Sequence, residues 1–234
     1  MHCRVVSWNV HSFVGSDGRY DVDRVAAVLQ SLHADIVGLQ EVDWRHAGQD
    51  GPDPFDRLAN VLGMHAVEGP NLHDHRGRYG NGLLTRLQIA DATTFSLAYG
   101  GREPRGAIDA RLEHGDRTIR VLVTHLGLKL RERRNQVRRI RDALESGPSA
   151  DATILLGDMN EWITARLMRR AFTPKPFHTL ITGRTFPSQW PVFPLDCIFV
   201  TPQPDHREHR ILDSPEIRAA SDHLPILADL EWTP

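Results

Sequence analysis

Cysteine is scarce: Cys3 and Cys197 are the only two in 234 residues. Two thiols cannot build a disulfide framework, so they imply a reducing compartment or simply two buried side chains. No Cys/His cluster stands at zinc-site spacing, which argues against a structural zinc. No apolar run approaches the roughly 18 residues of a membrane span. The chain goes straight into Arg4-Val5-Val6-Ser7-Trp8 with no charged-then-apolar leader, so a cytoplasmic location is expected. Neither charge sign dominates. The formal net charge is −2, which excludes a global basic field for gripping long duplex DNA but leaves room for a local basic patch. Lysine is nearly missing: of 28 basic residues only Lys129 and Lys175 are lysine. Arginine favours phosphate recognition, but a GC-rich genome yields the same bias, and that reading carries more weight.

What is present is an ordinary globular mix, 40% hydrophobic and 25% charged, long enough to bury a sizeable core. Short β-branched runs alternate with helical patterns. Cys3–Trp8, Ile36–Leu39, Gly82–Thr85, Ala92–Leu97, Gly106–Leu112, Thr118–Thr124, Thr153–Leu156, Cys197–Val200, Arg210–Leu212 and Pro225–Leu230 read as strands. Gly82–Thr85 and Ala92–Leu97 read as neighbours, and Glu113-His114-Gly115-Asp116 as a hairpin turn. Asp21 to Leu32 is expected as a helix capped by Asp21, and Phe55–Leu62 as a helix ending at Gly63. Arg131–Glu145 and Thr164–Phe172 are the remaining expected helices. Pro174 to Pro194 reads as a long ordered loop. With no repeat, no low-complexity tract and no linker, the pattern predicts one α/β or α+β domain over residues 1–234 with layered packing.

The informative feature is what ends each apolar run. Val5-Val6-Ser7-Trp8 ends at Asn9, and Ile36–Gln40 ends at Glu41. Val121–Thr124 ends at His125, and Ile154–Gly157 ends at Asp158 with Asn160 two positions on. Asp196 begins a strand, and Ser221-Asp222-His223 precedes the last one. Each residue alone reads as a cap, a turn or a surface acid. Gathered at one sheet edge, where α/β folds place chemistry, they would form a site.

These blocks carry a resemblance. Ser7-Trp8-Asn9, Leu39-Gln40-Glu41-Val42, Gly80-Asn81-Gly82, Thr124-His125-Leu126, Gly157-Asp158-Met159-Asn160, Leu195-Asp196 and Ser221-Asp222-His223 follow the order seen in the endonuclease/exonuclease/phosphatase family. That family includes deoxyribonuclease I, abasic-site endonucleases, neutral sphingomyelinases and inositol polyphosphate 5-phosphatases. The resemblance is to a compact bacterial member and runs from residue 4 to about 230. It implies a four-layer α/β sandwich of two packed sheets and a divalent-metal-dependent phosphoesterase.

Phosphate-ester hydrolysis needs neutralised phosphate charge, an activated water and help for the leaving oxygen. Glu41 is the best metal ligand, a hard oxygen donor suited to Mg²⁺ or Mn²⁺, and Asn9 can add a neutral oxygen. The resemblance makes His223 a base or charge stabiliser oriented by Asp196, and Asp158 a residue that positions or deprotonates water or holds a second metal. Which of Asp158 and His223 is the base stays open. It further implies Asn160 on a phosphoryl oxygen, His125 as a second catalytic histidine, Asp222 as a metal ligand or support, and Asn81 as a supporting amide. Arg105, ahead of an expected strand, could clamp phosphate bidentately. Tyr79 is the one weak counterpart to the catalytic tyrosine of abasic-site endonucleases. Trp162, Phe186 and Trp190 could rim a substrate pocket or pin a loop, and Arg131–Arg141 could meet nucleic acid or anionic lipid or merely be solvated. The expected substrate is a phosphodiester of nucleic-acid, phospholipid or small-molecule type. A phosphomonoesterase on a sugar or inositol phosphate, and a catalytically silent binding module, are the alternatives. No obligate protein partner is expected.

Overall fold

In the computed structural model, residues 1–46, 53–75, 77–162, 177–180 and 183–233 are described. The β-branched runs form two six-stranded sheets. The first holds β1 (His2–Asn9), β2 (Ile36–Asp43), β3 (His65–Asp74), β4 (Gly77–Thr85), β11 (His206–Ile211) and β12 (Ile226–Glu231), in the order β11-β12-β1-β2-β4-β3. The second holds β5 (Gln88–Ser96), β6 (Gly106–His114), β7 (Arg117–His125), β8 (Ala152–Asp158), β9 (His178–Thr179) and β10 (Asp196–Thr201), in the order β5-β6-β7-β8-β10-β9. Both sheets follow one plan. A central parallel pair, β1 with β2 and β7 with β8, is flanked on each side by antiparallel neighbours.

Side chains alternate across a strand, and here both faces are apolar. Val5, Ile36, Leu83, Ile108, Val121, Val123, Ile154, Leu156, Ile198 and Ile226 form one buried cluster between the sheets. The alternate residues face outward. Val6, Trp8, Val37 and Leu39 pack on α1 (Val22–Leu32), α2 (Pro54–Leu62) and α4 (Pro215–Ala220). Leu122, Leu155 and Phe199 pack on α3 (Leu130–Ser146). The result is the expected helix–sheet–sheet–helix sandwich of four layers. Gly38 lets the sheets close on each other, since a Cβ there would lie 2.0 Å from Leu156 Cδ1. Cys3 and Cys197 are free, buried and in different clusters.

Local signals behave as expected. The Asp21 carboxylate accepts the Arg24 N–H at 3.0 Å and caps α1. Asp53 caps α2, and Gly63 ends it in the left-handed region at φ 60°. Three expectations change. Gly82–Thr85 and Ala92–Leu97 are not neighbours, because the chain crosses between sheets at Arg86 and Leu87, and β4 pairs with β2 and β3 while β5 pairs with β6. β3 escaped sequence reading because it is an edge strand with little apolar content, HAVEGPNLHD. α4 escaped because it has only six residues, although Ser214 caps it and Pro215 starts it. The helix expected over Thr164–Phe172 lies outside the described residues. Within the expected loop at Pro174–Pro194, His178–Thr179 pairs with β10 and Phe186 bridges Phe193.

Candidate active site

The parallel pairs point the same ends at one edge of the sandwich. β1, β2, β7 and β8 end there, while the antiparallel β4, β6, β10 and β12 begin there. Inward parity then selects the polar residues. Asn9 continues the face of Val5, His125 that of Val123, and Asp158 that of Leu156, while Asp196 shares the face of Ile198. Glu41 is out of phase with Ile36. A register shift between Leu39 and Val42, with Glu41 at φ 59°, resets the phase. The bulge sets Glu41 beside Asn9.

Asp158 Oδ2 is the point of convergence. Asn9 Nδ2 donates to it at 3.2 Å and to Glu41 Oε1 at 3.0 Å. His125 Nε2 lies 3.4 Å from the same Oδ2, and His223 Nε2 lies 3.8 Å away. The other oxygen, Oδ1, accepts the Asn160 N–H at 2.9 Å in a turn that holds Asn160 at φ 49°. The Asn160 amide nitrogen sits 3.0 Å from His125 Nε2 and donates to the Leu126 carbonyl at 2.8 Å.

Partner groups set the roles of the ring nitrogens. His223 Nδ1 meets Asp196 Oδ2 at 2.9 Å, so Nδ1 is the donor and Nε2 faces the site. Arg105 Nη1 lies 3.1 Å from His125 Nδ1. A guanidinium and an amide nitrogen both only donate, and a neutral imidazole has one acceptor nitrogen, so Arg105 on Nδ1 and Asn160 on Nε2 compete for it. Burial, then Arg105 and His223, hold His125 well below its ordinary value, hence neutral. Burial opposes charge on His223, but Asp196 first and then Asp158 and Asp222 outweigh it and raise its affinity for a proton. Asp158 is pushed up to about 7, first by burial and then by the Asp196 carboxylate. Asp222 is raised mainly by burial.

All ten predicted site residues lie along this edge, though their contacts differ. Asn9 turns its amide nitrogen to the carboxylates, while its oxygen accepts the His11 N–H at 3.0 Å. Arg105 is 7% exposed and spans His125 and Glu103, the latter at 3.2 Å. Asn81 ties the sheets together, donating from β4 to the Gly106 carbonyl at 3.0 Å. Asp222 stands 3.9 Å from His11 Nδ1. Sequence reading assigned no role to Ser221. Its hydroxyl donates to the Asn9 carbonyl at 2.7 Å and accepts the His223 N–H at 3.1 Å, fixing the loop that carries His223 to β1. The Ser-Asp-His block was the available signal. The Phe186 ring packs on His223 with centroids 4.8 Å apart, and Trp162 meets both Phe186 and Phe193. Tyr79 is buried beside Glu41, and both effects raise its hydroxyl above the usual value.

The donor set suits a hard divalent cation. It is mainly carboxylate oxygen, since Asn9 turns its amide nitrogen rather than its oxygen inward, and ligand atoms of Asp158, Asp196 and His223 lie within 4.8 Å of one another. Asp222 Oδ1 and Asp196 Oδ1 are both buried without a hydrogen-bond partner, which is the condition a cation relieves.

Comparison with known proteins agrees with this geometry. The model of the Endonuclease/Exonuclease/phosphatase family matches residues 6–223. The uncharacterized protein YbhP of Escherichia coli (strain K12) is 27% identical over 243 residues, covering 97% of this chain and 95% of that one. The mannosyl-6-phosphatase Bt3783 of Bacteroides thetaiotaomicron VPI-5482 superposes with a TM-score of 0.75 at 19% identity, over 98% of this chain and 100% of that one. TDP2 of D. rerio, complexed with a single-strand DNA product, superposes with a TM-score of 0.74 at 19% identity, over 97% and 98% of the two chains. The likeness to both structures is one of fold. With the family's pattern running from β1 through His223, the chain belongs to the endonuclease/exonuclease/phosphatase family, whose members are hydrolases of phosphoester bonds.

Proposed function

We propose that this protein is a divalent-metal-dependent phosphodiesterase. The observation that carries the reading is the convergence of His125 and the Asp196-oriented His223 on Asp158. Glu41, with Asp222, would hold Mg²⁺ or Mn²⁺, which when bound supplies charge neutralisation and a more acidic water; Asn9, expected to add a neutral oxygen, instead donates to Glu41 and steadies that carboxylate. Asp158 orients the attacking water and takes its proton. It is competent because burial keeps its carboxyl more basic than an exposed one. His223 presents Nε2 toward phosphorus, while Asp196 stabilises positive charge on the ring. His125 turns Nε2 toward Asp158, with Arg105 against its far nitrogen. Asn160 lies beside it to donate to a phosphoryl oxygen.

Arg105 and His223 lie at this centre beside the proposed cation, and Arg105 also faces Glu103; the preference for a diester rests on the leaving-group side. The aromatic group of Phe186, Trp162 and Phe193 beside His223 offers an apolar wall to the leaving group. The diester is then a nucleic acid, a phospholipid or a small molecule.

The test is hydrolysis of bis-p-nitrophenyl phosphate against p-nitrophenyl phosphate, with Mg²⁺, with Mn²⁺ and with chelator. Metal-dependent diester turnover, lost by several orders of magnitude in Asp158→Asn, Glu41→Ala and His223→Ala, is expected. Monoester preference moves the assignment to a phosphatase. Chelator-resistant turnover, or wild-type rates in these variants, would sink the mechanism.

A further inference from the structure

Large exposed apolar side chains are unevenly placed. Among the described residues seven are exposed, and five of them are Leu128, Leu130, Trp162, Trp190 and Val192. Those five stand on two segments. One follows β7 after His125; the other joins β8 to β10 between Asp158 and Asp196. Both segments leave the edge that carries the site, because β7 and β8 are parallel and Asp196 pairs with Asp158. Leu128 is 57% exposed, Leu130 49% and Trp190 81%. Apolar surface concentrated in this way marks an interaction face.

Charge is segregated beside it. At helical spacing, Leu130, Arg131, Arg134 and Arg138 share the solvent face of α3, opposite the buried Arg133, Gln136, Val137 and Ile140. Lys129 adjoins them and is also exposed. Among the described residues, no carboxylate pairs with the side chains of Lys129, Arg131, Arg134 or Arg138. Of the three acids of the helix, Glu132 is buried facing Arg102 at 3.8 Å, Glu145 at the far end takes Arg141, and Asp142 is exposed one turn beyond Arg138. Tyr99, Arg131, Arg134, Asn135 and Arg138 line a shallow groove of about 250 Å³, and Asn135 Oδ1 has no partner. The first two turns of the helix are therefore cationic and apolar at once, although the chain as a whole carries −2.

We infer that this face docks the site edge onto an anionic lipid surface, a role distinct from the hydrolytic reading above. Leucines beside unpaired arginines are the composition of an interfacial element. Nucleic acid would use the arginines and stack on Trp190 or Tyr99, but it leaves the two protruding leucines that flank the arginines, Leu128 and Leu130, without a partner. Among the described residues, no helix is long and apolar enough to cross a membrane, so the contact is peripheral. The groove takes the phosphate of a headgroup on its arginines.

The test is sedimentation of the full-length protein with vesicles. Vesicles of phosphatidylcholine with about 30% phosphatidylglycerol are compared with phosphatidylcholine alone, at low and high salt. Binding to the anionic vesicles, weakened by salt, is expected. Each basic residue contributes about fivefold to partitioning. Arg131→Gln/Arg134→Gln/Arg138→Gln should therefore lose about a hundredfold, and Leu128→Ser/Leu130→Ser should also weaken binding. Turnover of a soluble diester should be unchanged in both variants, which separates a lost surface from a lost fold. Equal partition to both vesicle types, no binding to either, or full binding by the arginine variant overturns the inference. So does tighter binding to a single-stranded oligonucleotide that the arginine variant loses and the leucine variant keeps. Because the readout is binding, failure of the hydrolytic reading leaves it standing, and the reverse.

Discussion

Asp196→Asn isolates the contribution of one charge. The carboxylate is buried, and its Oδ2 lies 2.9 Å from His223 Nδ1. Asparagine keeps the shape, and its amide oxygen can still accept from Nδ1–H. The ring therefore stays oriented while the charge that stabilises imidazolium is removed. A hydrogen bond to a charged group contributes about 1.5–3 kcal/mol, and about 1.4 kcal/mol is tenfold in rate. The expected loss is about 10- to 150-fold in kcat on a chromogenic diester at saturating Mg²⁺. KM should move little, because Asp196 acts through His223 and does not touch substrate. In a His223→Gln background the same substitution should cost less than about threefold, since its partner is gone. Steady-state kinetics on the four proteins of the cycle give the coupling directly. Additive losses, or wild-type kcat in Asp196→Asn, would refute the assignment of Asp196 as the residue that positions and charges His223.

Metal-free protein should lose stability as pH rises above neutrality. Burial resists charge on His223, but the Asp196, Asp158 and Asp222 carboxylates hold its pKa at about 10, above the ordinary 6.5. The folded state keeps a proton that the unfolded chain has released. This stabilisation is complete below about pH 6.5 and fades as pH climbs toward 10, at about 1.4 kcal/mol per pH unit. Urea titrations in chelator between about pH 7 and 8.5 should show that slope in the wild type and a shallower one in His223→Gln, where Asp158 alone keeps an excess proton; a flat wild-type profile contradicts it. Divalent cation at about a hundred times its Kd should stabilise the wild type by about 2.7 kcal/mol, and Glu41→Gln should remove most of that gain in a thermal melt. Leu156→Ala, in the layer between the sheets, should cost about 2–5 kcal/mol by urea denaturation. Gly38→Ala should also destabilise, because its Cβ would meet Leu156 Cδ1. The two losses should be less than additive, since truncating Leu156 relieves that clash.

Much of the layering was legible because burial on both faces writes itself as continuous apolar runs. Val5-Val6, Val121-Leu122-Val123 and Ile154-Leu155-Leu156 alternate between the inter-sheet core and a helix layer. Caps such as Asp21 and Gly63 are local chemistry and were equally readable. β3 was not. An edge strand takes its stability from backbone pairing with β4 and needs few apolar residues of its own. The partners of β4 and β5 were also misread, because adjacency in sequence does not say on which sheet a strand lands.

The residue types of the site were visible in sequence as the polar residues that end apolar strands: Asn9, Glu41, His125, Asp158, Asp196 and His223. Their chemistry, and the resemblance of their order to a phosphoesterase family, needed nothing further. Only the tertiary structure decided their geometry. The pairing of His223 with Asp196 was already implied by the resemblance; the structure added its 2.9 Å distance, the approach of Arg105 to His125 Nδ1, and the single bulge that brings Glu41 into phase. It also placed the Leu128–Arg138 face on the same edge as the site. The physical reason is range. A residue's type and the period of its strand are local, whereas a contact such as Asn9 with Asp158, 149 positions apart, exists only once two sheets have packed and brought their strand ends to one edge.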